Sequence, residues 1–295
     1  MAAAKASTFS LTKTWHKDTY AAIDPRVRPE LKLSGKTVVI SGGGSGIGKG
    51  MTRAFAEAGA SKIAILGRRD AVLQQTKSEI EDAVRGATTI QTNAVDIQDL
   101  PAVKRVADGI GPWDVLLANA GYLSEPMPLV DADPEEWWKS FEVNVKGVFN
   151  LAHSFLPSRR EGSTLIVVSA GSIQIDAMAK NYSVYNSSKF AEVKLLEILG
   201  KEEEDLHVVT MHPGVGNTEM ATKSSRGKTG GPPISFGTVD LPSHFAVWLC
   251  SPEARFLRGR FVWCNWDVEE LLAKKTQIEG SLLLTANCIG WPYSA

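Results

Sequence analysis

Six glycines fall within nine residues in Ser41-Gly42-Gly43-Gly44-Ser45-Gly46-Ile47-Gly48-Lys49-Gly50, and this run narrows the fold more than any other feature of the chain. A turn needs one or two glycines, and each unneeded one costs backbone entropy. The run directly follows Lys36–Ser41, whose Val38-Val39-Ile40 centre is apolar on both faces, and it opens a helical stretch. A strand of that kind is covered by helices on each side. At a strand-to-helix turn, glycines let a pyrophosphate approach the backbone, where the helix N-terminus offers unpaired N–H groups and partial positive charge.

Further runs at Lys62–Gly67, Thr88–Asn93, Asp114–Asn119, Ser163–Ser169, Leu206–Met211 and Arg260–Asn265 read as strands. Between them, Ala71–Arg85, Glu135–Leu156 and Ser187–Glu204 carry a 3.6-residue apolar pattern. This alternation predicts an α/β fold: a doubly wound, Rossmann-like parallel sheet of about seven strands with helices on both faces, in a single domain. Residues 1–34, broken by Pro25 and Pro29, read as an N-terminal arm. Residues 35–270 are expected to form a Rossmann-type dinucleotide-binding catalytic domain, and 271–295 a C-terminal extension. The stretch Thr222–Gly237 mixes Lys223, Arg226 and Lys228 with Gly, Ser and Pro, and is expected as a mobile loop over a pocket.

With 32 Lys plus Arg against 33 Asp plus Glu, the chain has no basic surplus for a nucleic-acid partner. No apolar run reaches spanning length, so no membrane partner is expected. Cys250, Cys264 and Cys288 form no C-x-x-C pair, and no His pair has metal-ligand spacing, so no metal is assigned. A reducing, cytoplasmic setting is the expectation. Residues 1–17 lack Asp and Glu but also lack Arg, a poor match to a transit peptide.

The second strand run ends in Gly67-Arg68-Arg69. Dinucleotide sites for NAD place an acid here for the ribose hydroxyls, whereas two guanidiniums suit a 2′-phosphate. NADP(H) is therefore favoured over NAD(H). Downstream, Tyr185-Asn186-Ser187-Ser188-Lys189 sets a phenol and an ammonium at i and i+4 on one helix face. A cation held there lowers a tyrosine pKa toward a general acid/base range.

The glycine turn and the Tyr/Lys pair together resemble the short-chain dehydrogenase/reductase family. Supporting motifs follow in the family's order: Asp96 in V-D-I, N-A-G at 119–121, Asn144 in V-N-V-K-G and P-G-x-x-x-T at 213–218. The stretches W-H-K-D-T-Y-A-A-I-D-P and F-V-W-C-N-W-D-V-E-E-L further resemble an uncharacterised fungal branch. The resemblance implies cofactor contacts at Ser41, Gly42, Gly46, Ile47 and Gly48, with Asp96 at the adenine edge. It implies that Asn119–Gly121 brace the central strand, that Pro213, Gly214 and Thr218 meet the nicotinamide end, and that Asn144 holds a relay water. Lys189 would bind the nicotinamide ribose and lower the pKa of Tyr185, the proton donor/acceptor. Homodimers or homotetramers are implied as well.

One position departs from the family. Its catalytic serine is usually the second of a Ser-Ser pair ending the fifth strand, but here the chain reads Val168-Ser169-Ala170-Gly171-Ser172. By that alignment Ala170 holds the catalytic place; by the interval before the tyrosine, Ser172 does. In a continued strand the two would face the same side about 7 Å apart, unless the chain bends at Gly171. The expected function is an NADP(H)-dependent oxidoreductase interconverting a carbonyl and a hydroxyl on a small, fairly apolar molecule, in the setting of secondary metabolism. The alternative, motivated by Ala170, is a non-redox cyclase, isomerase or binding protein that keeps the nucleotide pocket.

Overall fold

Val38, Val39 and Ile40 are fully buried, as a two-faced strand must be, and they lie at the centre of the sheet. The protein is described by a computed structural model covering residues 4–5, 10–175, 180–216, 220, 222–223 and 237–288. The strands of the main sheet are β1 (Thr37–Ser41), β2 (Lys62–Gly67), β3 (Thr89–Ala94), β4 (Trp113–Ala118), β5 (Arg159–Val168), β6 (His207–His212) and β7 (Arg260–Trp263). All pair in parallel, in the order β3-β2-β1-β4-β5-β6-β7. The strand order reverses between β1 and β4, and a crevice opens there beyond the carboxyl ends of the strands, where such sheets bind their ligands.

Helices α1 (Gly46–Glu57), α2 (Asp70–Ala83) and α3 (Leu100–Ile110) follow the first three strands. Two apolar clusters cover the sheet. One joins Ile40, Phe55, Phe245 and Trp248; the other joins Val39, Trp113, Leu151 and Phe155. Helix α6 (Ser183–Glu202) precedes β6, and α7 (Asp240–Leu249) packs on α1.

The single helix expected over Glu135–Leu156 is instead α4 (Pro134–Phe141) and α5 (Gly147–Phe155), joined by a π-helical turn, Glu142–Lys146. The wide turn carries Asn144, fully buried. A 3.6-residue pattern does not reveal such an inserted residue, and π turns of this kind occur often at functional sites.

Residues 10–34 are strapped to the far edge of the sheet. Ile23 is fully buried in the main core, the His16 N–H donates to the Asn265 carbonyl (2.8 Å), and Asn265 Nδ2 donates back to the His16 carbonyl (2.8 Å). The Lys13 and Thr14 N–H groups bond the Glu270 carboxylate. The two stretches that resemble a fungal branch thus pack on each other. Beyond β7, the Phe261 N–H donates to the Leu284 carbonyl (2.9 Å). No helix among the described residues is long and apolar enough to cross a membrane.

Candidate active site

The glycine turn is built without room for side chains. A Cβ on Gly48 would strike the Gly42 carbonyl oxygen and come within 2.6 Å of Asn119 Nδ2. Asn119 in turn ties β1 to β4: its Nδ2 donates to the Ser41 carbonyl (3.0 Å), while the Asn119 and Ala120 N–H groups donate to Ser41 Oγ (3.0 and 3.1 Å). Thr52 Oγ1 donates to the carbonyls of Gly43 (3.0 Å) and Gly48 (2.9 Å), and Ile47 packs on the core below. Ser45 enters α1 in an extended conformation and spends no side-chain bond on the helix end. This rigid turn with a helix N-terminus fits a dinucleotide pyrophosphate.

Arg68 and Arg69 stand exposed after β2, in no ion pair among the described residues. Asp96, after β3, accepts from the Gln98 N–H (3.0 Å) and side chain. Pro213 and Gly214 follow β6, where Gly214 faces Cys264 and Asn265. Thr218, Arg226 and Lys228 lie outside the described residues.

Across the crevice, α6 carries Tyr185 and Lys189 one turn apart. The Tyr185 hydroxyl donates to Met220 Sδ (3.8 Å). The Lys189 ammonium is buried and donates to the Val168 carbonyl (2.9 Å) and to Glu192 Oε1 and Oε2 (2.9 and 3.2 Å). Gly121 comes close, since a Cβ there would sit 3.3 Å from Lys189 Nζ. The Asn144 amide accepts from the Tyr122 N–H (2.8 Å) and donates to the Tyr122 carbonyl and Ser188 Oγ (both 2.9 Å), so both of its amide hydrogens are engaged.

After Val168 the chain does bend. Ala170 is extended, and Gly171–Ile173 form a 3-10 turn. Ser169, buried, donates to the Lys189 carbonyl (2.9 Å). Ser172 donates to Asn186 Oδ1 (2.7 Å), the residue next to Tyr185. The turn is held from below: a Cβ on Gly171 would lie 2.7 Å from the Trp263 ring, and Trp263 Nε1 donates to Gln174 Oε1 (2.7 Å).

The short chain dehydrogenase family model matches residues 36–229. The chain belongs to the short-chain dehydrogenase/reductase family. A short chain dehydrogenase/reductase of Claviceps purpurea is 33% identical over 271 residues, covering 90% of each chain. A second relative, from Aspergillus aculeatus, is 32% identical over 91% of this chain and 92% of its own. Among solved structures, an Escherichia coli putative short chain dehydrogenase complexed with NADPH superposes with a TM-score of 0.70 at 23% identity, over 80% of this chain and 99% of its own. A Brucella melitensis 3-ketoacyl-(acyl-carrier-protein) reductase complexed with NADH does so with 0.69 at 26%, over 79% and 97%.

In this short-chain dehydrogenase the electrostatics of the tyrosine differ from the expectation. Tyr185 as a residue is half-buried, but protein crowds its hydroxyl, and burial pushes the phenol up, with the Glu192 carboxylate adding to the shift. The Lys189 ammonium bonds the Glu192 carboxylate (2.9 and 3.2 Å) and has no bond to the phenol among the described residues. Burial likewise pushes Glu192 up to about 7 against the pull of Lys189. His212, half-buried at the end of β6, is held down at about 3 by desolvation of its ring, so it stays neutral at physiological pH.

Two groups escaped the sequence reading. Glu192 sits three residues after Lys189, a spacing that brings opposite charges together on a helix. The signal was there, but its burial was not. Tyr122, Glu136 and Lys223 meet at the rim of the crevice: the Tyr122 hydroxyl donates to Glu136, and Lys223 Nζ lies 5.0 Å from the Tyr122 ring centroid. Burial, then the bond to Glu136, pushes Tyr122 up to about 12. Trp137, beside them, donates from Nε1 to Ser183 Oγ (3.2 Å) and lines a recess with Met127 and Val184. No motif joins these residues along the chain.

Proposed function

We propose that the chain is an NADP(H)-dependent oxidoreductase that interconverts a carbonyl and a hydroxyl on a small, fairly apolar molecule. The observation that carries the reading is the constellation at the crevice: Tyr185 and Lys189 on one face of α6, with the Ser172 hydroxyl tied to Asn186 beside the tyrosine. When bound, the dinucleotide supplies or accepts the hydride. Tyr185 would give its proton to the carbonyl oxygen on reduction, and burial keeps its hydroxyl protonated in the cofactor-free protein. Ser172 would bond the same oxygen as charge develops on it. Its hydrogen points to Asn186 in this structure, so the Ser172 hydroxyl would have to turn toward the substrate.

Cofactor choice does not follow from family membership, since neighbours complexed with NADPH and with NADH are both known. Arg68 and Arg69, exposed and unpaired among the described residues, support NADP(H). The recess mixes Met127, Trp137 and Val184 with Glu125, Asp133 and Glu136, so an apolar body would find its contacts on one side of it only. Trp138, Phe149 and Phe190 are 53%, 47% and 45% exposed on α4, α5 and α6, a face suited to a homodimer or homotetramer. The non-redox alternative loses ground because Ser172 supplies a hydroxyl despite Ala170.

The test is NADPH consumption with a panel of small aldehydes and ketones, for the wild type and for Tyr185→Phe. Carbonyl-dependent turnover that falls by about two to four orders of magnitude in the variant supports the reading. Undiminished turnover in Tyr185→Phe removes the proton role from that residue.

A further inference from the structure

The turn that carries Ser172 rests on a side chain that lies outside the family match. Trp263, at the end of β7, is 4% exposed. The edge of its ring lies against Gly171, where an added Cβ would sit 2.7 Å from indole Cζ2 and Cη2 and 2.9 Å from His212 Cδ2. Its Nε1 donates to Gln174 Oε1 (2.7 Å), just past the other end of the same turn. A buried indole N–H needs a partner, and here the partner is the residue that closes the turn. One side chain therefore touches the turn on both sides of Ser172.

We propose that Trp263 is a positioning residue for Ser172: by holding Gly171 and Gln174 it sets where the Ser172 hydroxyl stands beside Asn186 and Tyr185, and it links the N-terminal segment to the site. This deepens the oxidoreductase reading and rests on it for the work that Ser172 does. The bond from Ser172 to Asn186 orients the hydroxyl but does not fix the backbone beneath it. Within the turn, the Gln174 N–H donates to the Gly171 carbonyl (3.0 Å) and the Ile173 N–H to the Ala170 carbonyl (3.3 Å). So short a 3-10 turn has little stability of its own. The tryptophan ring sets its height, and the bond to Gln174 sets its rotation. His212 packs edge-on against Trp263, with centroids 4.5 Å apart, and so backs the ring. From the other side Trp15 meets the ring edge-on, and Trp266, bridged to Trp15, lies nearly parallel to it, with planes 9° apart.

The consequence has a definite pattern. The nucleotide turn is bonded within β1, α1 and the end of β4, so it does not feel Trp263. Loosening the tryptophan therefore lowers kcat and spares NADPH affinity. Its effect vanishes where residue 172 has no hydroxyl to place.

The test uses Trp263→Phe, which removes the N–H, and Gln174→Met, which removes the acceptor at an exposed residue and leaves the core intact. Hydrogen exchange of the cofactor-free chain comes first. The amides of residues 173 and 174 are expected to exchange at least about tenfold faster in both variants. Unchanged exchange in Gln174→Met overturns the proposal. This readout holds even if the wild type reduces no carbonyl, a result that sinks the oxidoreductase reading instead. On a carbonyl that the wild type reduces, both variants are expected to lower kcat about tenfold to a hundredfold, the cost of a displacement of about 1 Å, with NADPH affinity within about threefold. Gln174→Glu, which keeps an acceptor for the indole N–H, is expected to bring kcat back to within about threefold of wild type. In a Ser172→Ala background either substitution is expected to cost less than about threefold more. A full further loss in that background would show that Trp263 acts other than through Ser172 and overturn the proposal, as would a loss confined to NADPH affinity.

Discussion

The two walls of the crevice are held in place by different means. The nucleotide wall is self-contained: Ser41, Gly48, Thr52 and Asn119 bond one another's backbones directly, within β1, α1 and the end of β4. The catalytic wall depends on distant parts of the chain. The Gly171–Ile173 turn leans on Trp263 of β7, and Trp263 meets Trp15 of the N-terminal segment edge-on, with centroids 5.8 Å apart. Helix α6 is also tied in from the C-terminal side, where Lys194 Nζ donates to the Ala286 carbonyl (2.8 Å). A wall made of one short motif tolerates change elsewhere, whereas a wall assembled from three distant segments can be tuned by any of them.

This contrast can be broken or sharpened by substitution. The largest effect is expected at Gly48→Val, where the new side chain meets the Gly42 carbonyl. NADPH binding, read by fluorescence titration, should fall at least about a hundredfold, beyond the roughly 2.7 kcal/mol that this corresponds to. Retained binding would mean that the pyrophosphate does not use this turn. Next comes Ser172→Ala, expected to lower kcat for carbonyl reduction by about two to three orders of magnitude with cofactor affinity unchanged. A variant as fast as wild type would hand the role to another donor.

Arg68→Ala/Arg69→Ala is expected to weaken NADPH by about tenfold to a hundredfold, the range of one or two charge-assisted bonds, and to leave NADH binding as it was. Equal losses for both would indicate a general charge effect. The smallest effect belongs to Trp15→Ala. Trp15 is half-buried, so the midpoint of chemical unfolding should report a loss of about 2 kcal/mol, while kcat drops less than tenfold and NADPH affinity does not move. A loss of NADPH affinity in this variant would erase the distinction between the walls.

The same division explains what could be read from the sequence. All seven strands were legible, the inner ones because a buried parallel strand must be a short apolar run, and the edge strand β3, in which only Ile90 is buried, by its β-branched residues. The nucleotide turn was legible because its chemistry lies in consecutive residues. The π turn at Glu142–Lys146 was not, since one inserted residue shifts the helical pattern only slightly and its reward, Asn144 bonded to Tyr122 and Ser188, comes from elements far along the chain. Ser172 could not be separated from Ala170 by spacing alone; the bend at Gly171 and the bond to Asn186 favour it only in three dimensions. The pairing of Glu192 with Lys189 was visible as a spacing, but the burial of both side chains at the end of β5 is announced by no local pattern.

The nucleotide wall is also where the central claim, a short-chain dehydrogenase set up for NADP(H), is most directly tested. Side-by-side fluorescence titration of the wild type with NADPH and NADH gives the answer in one experiment. The arginine pair after β2 predicts that NADPH binds at least about tenfold tighter, a difference of about 1.4 kcal/mol. Equal affinity, or tighter binding of NADH, would contradict it.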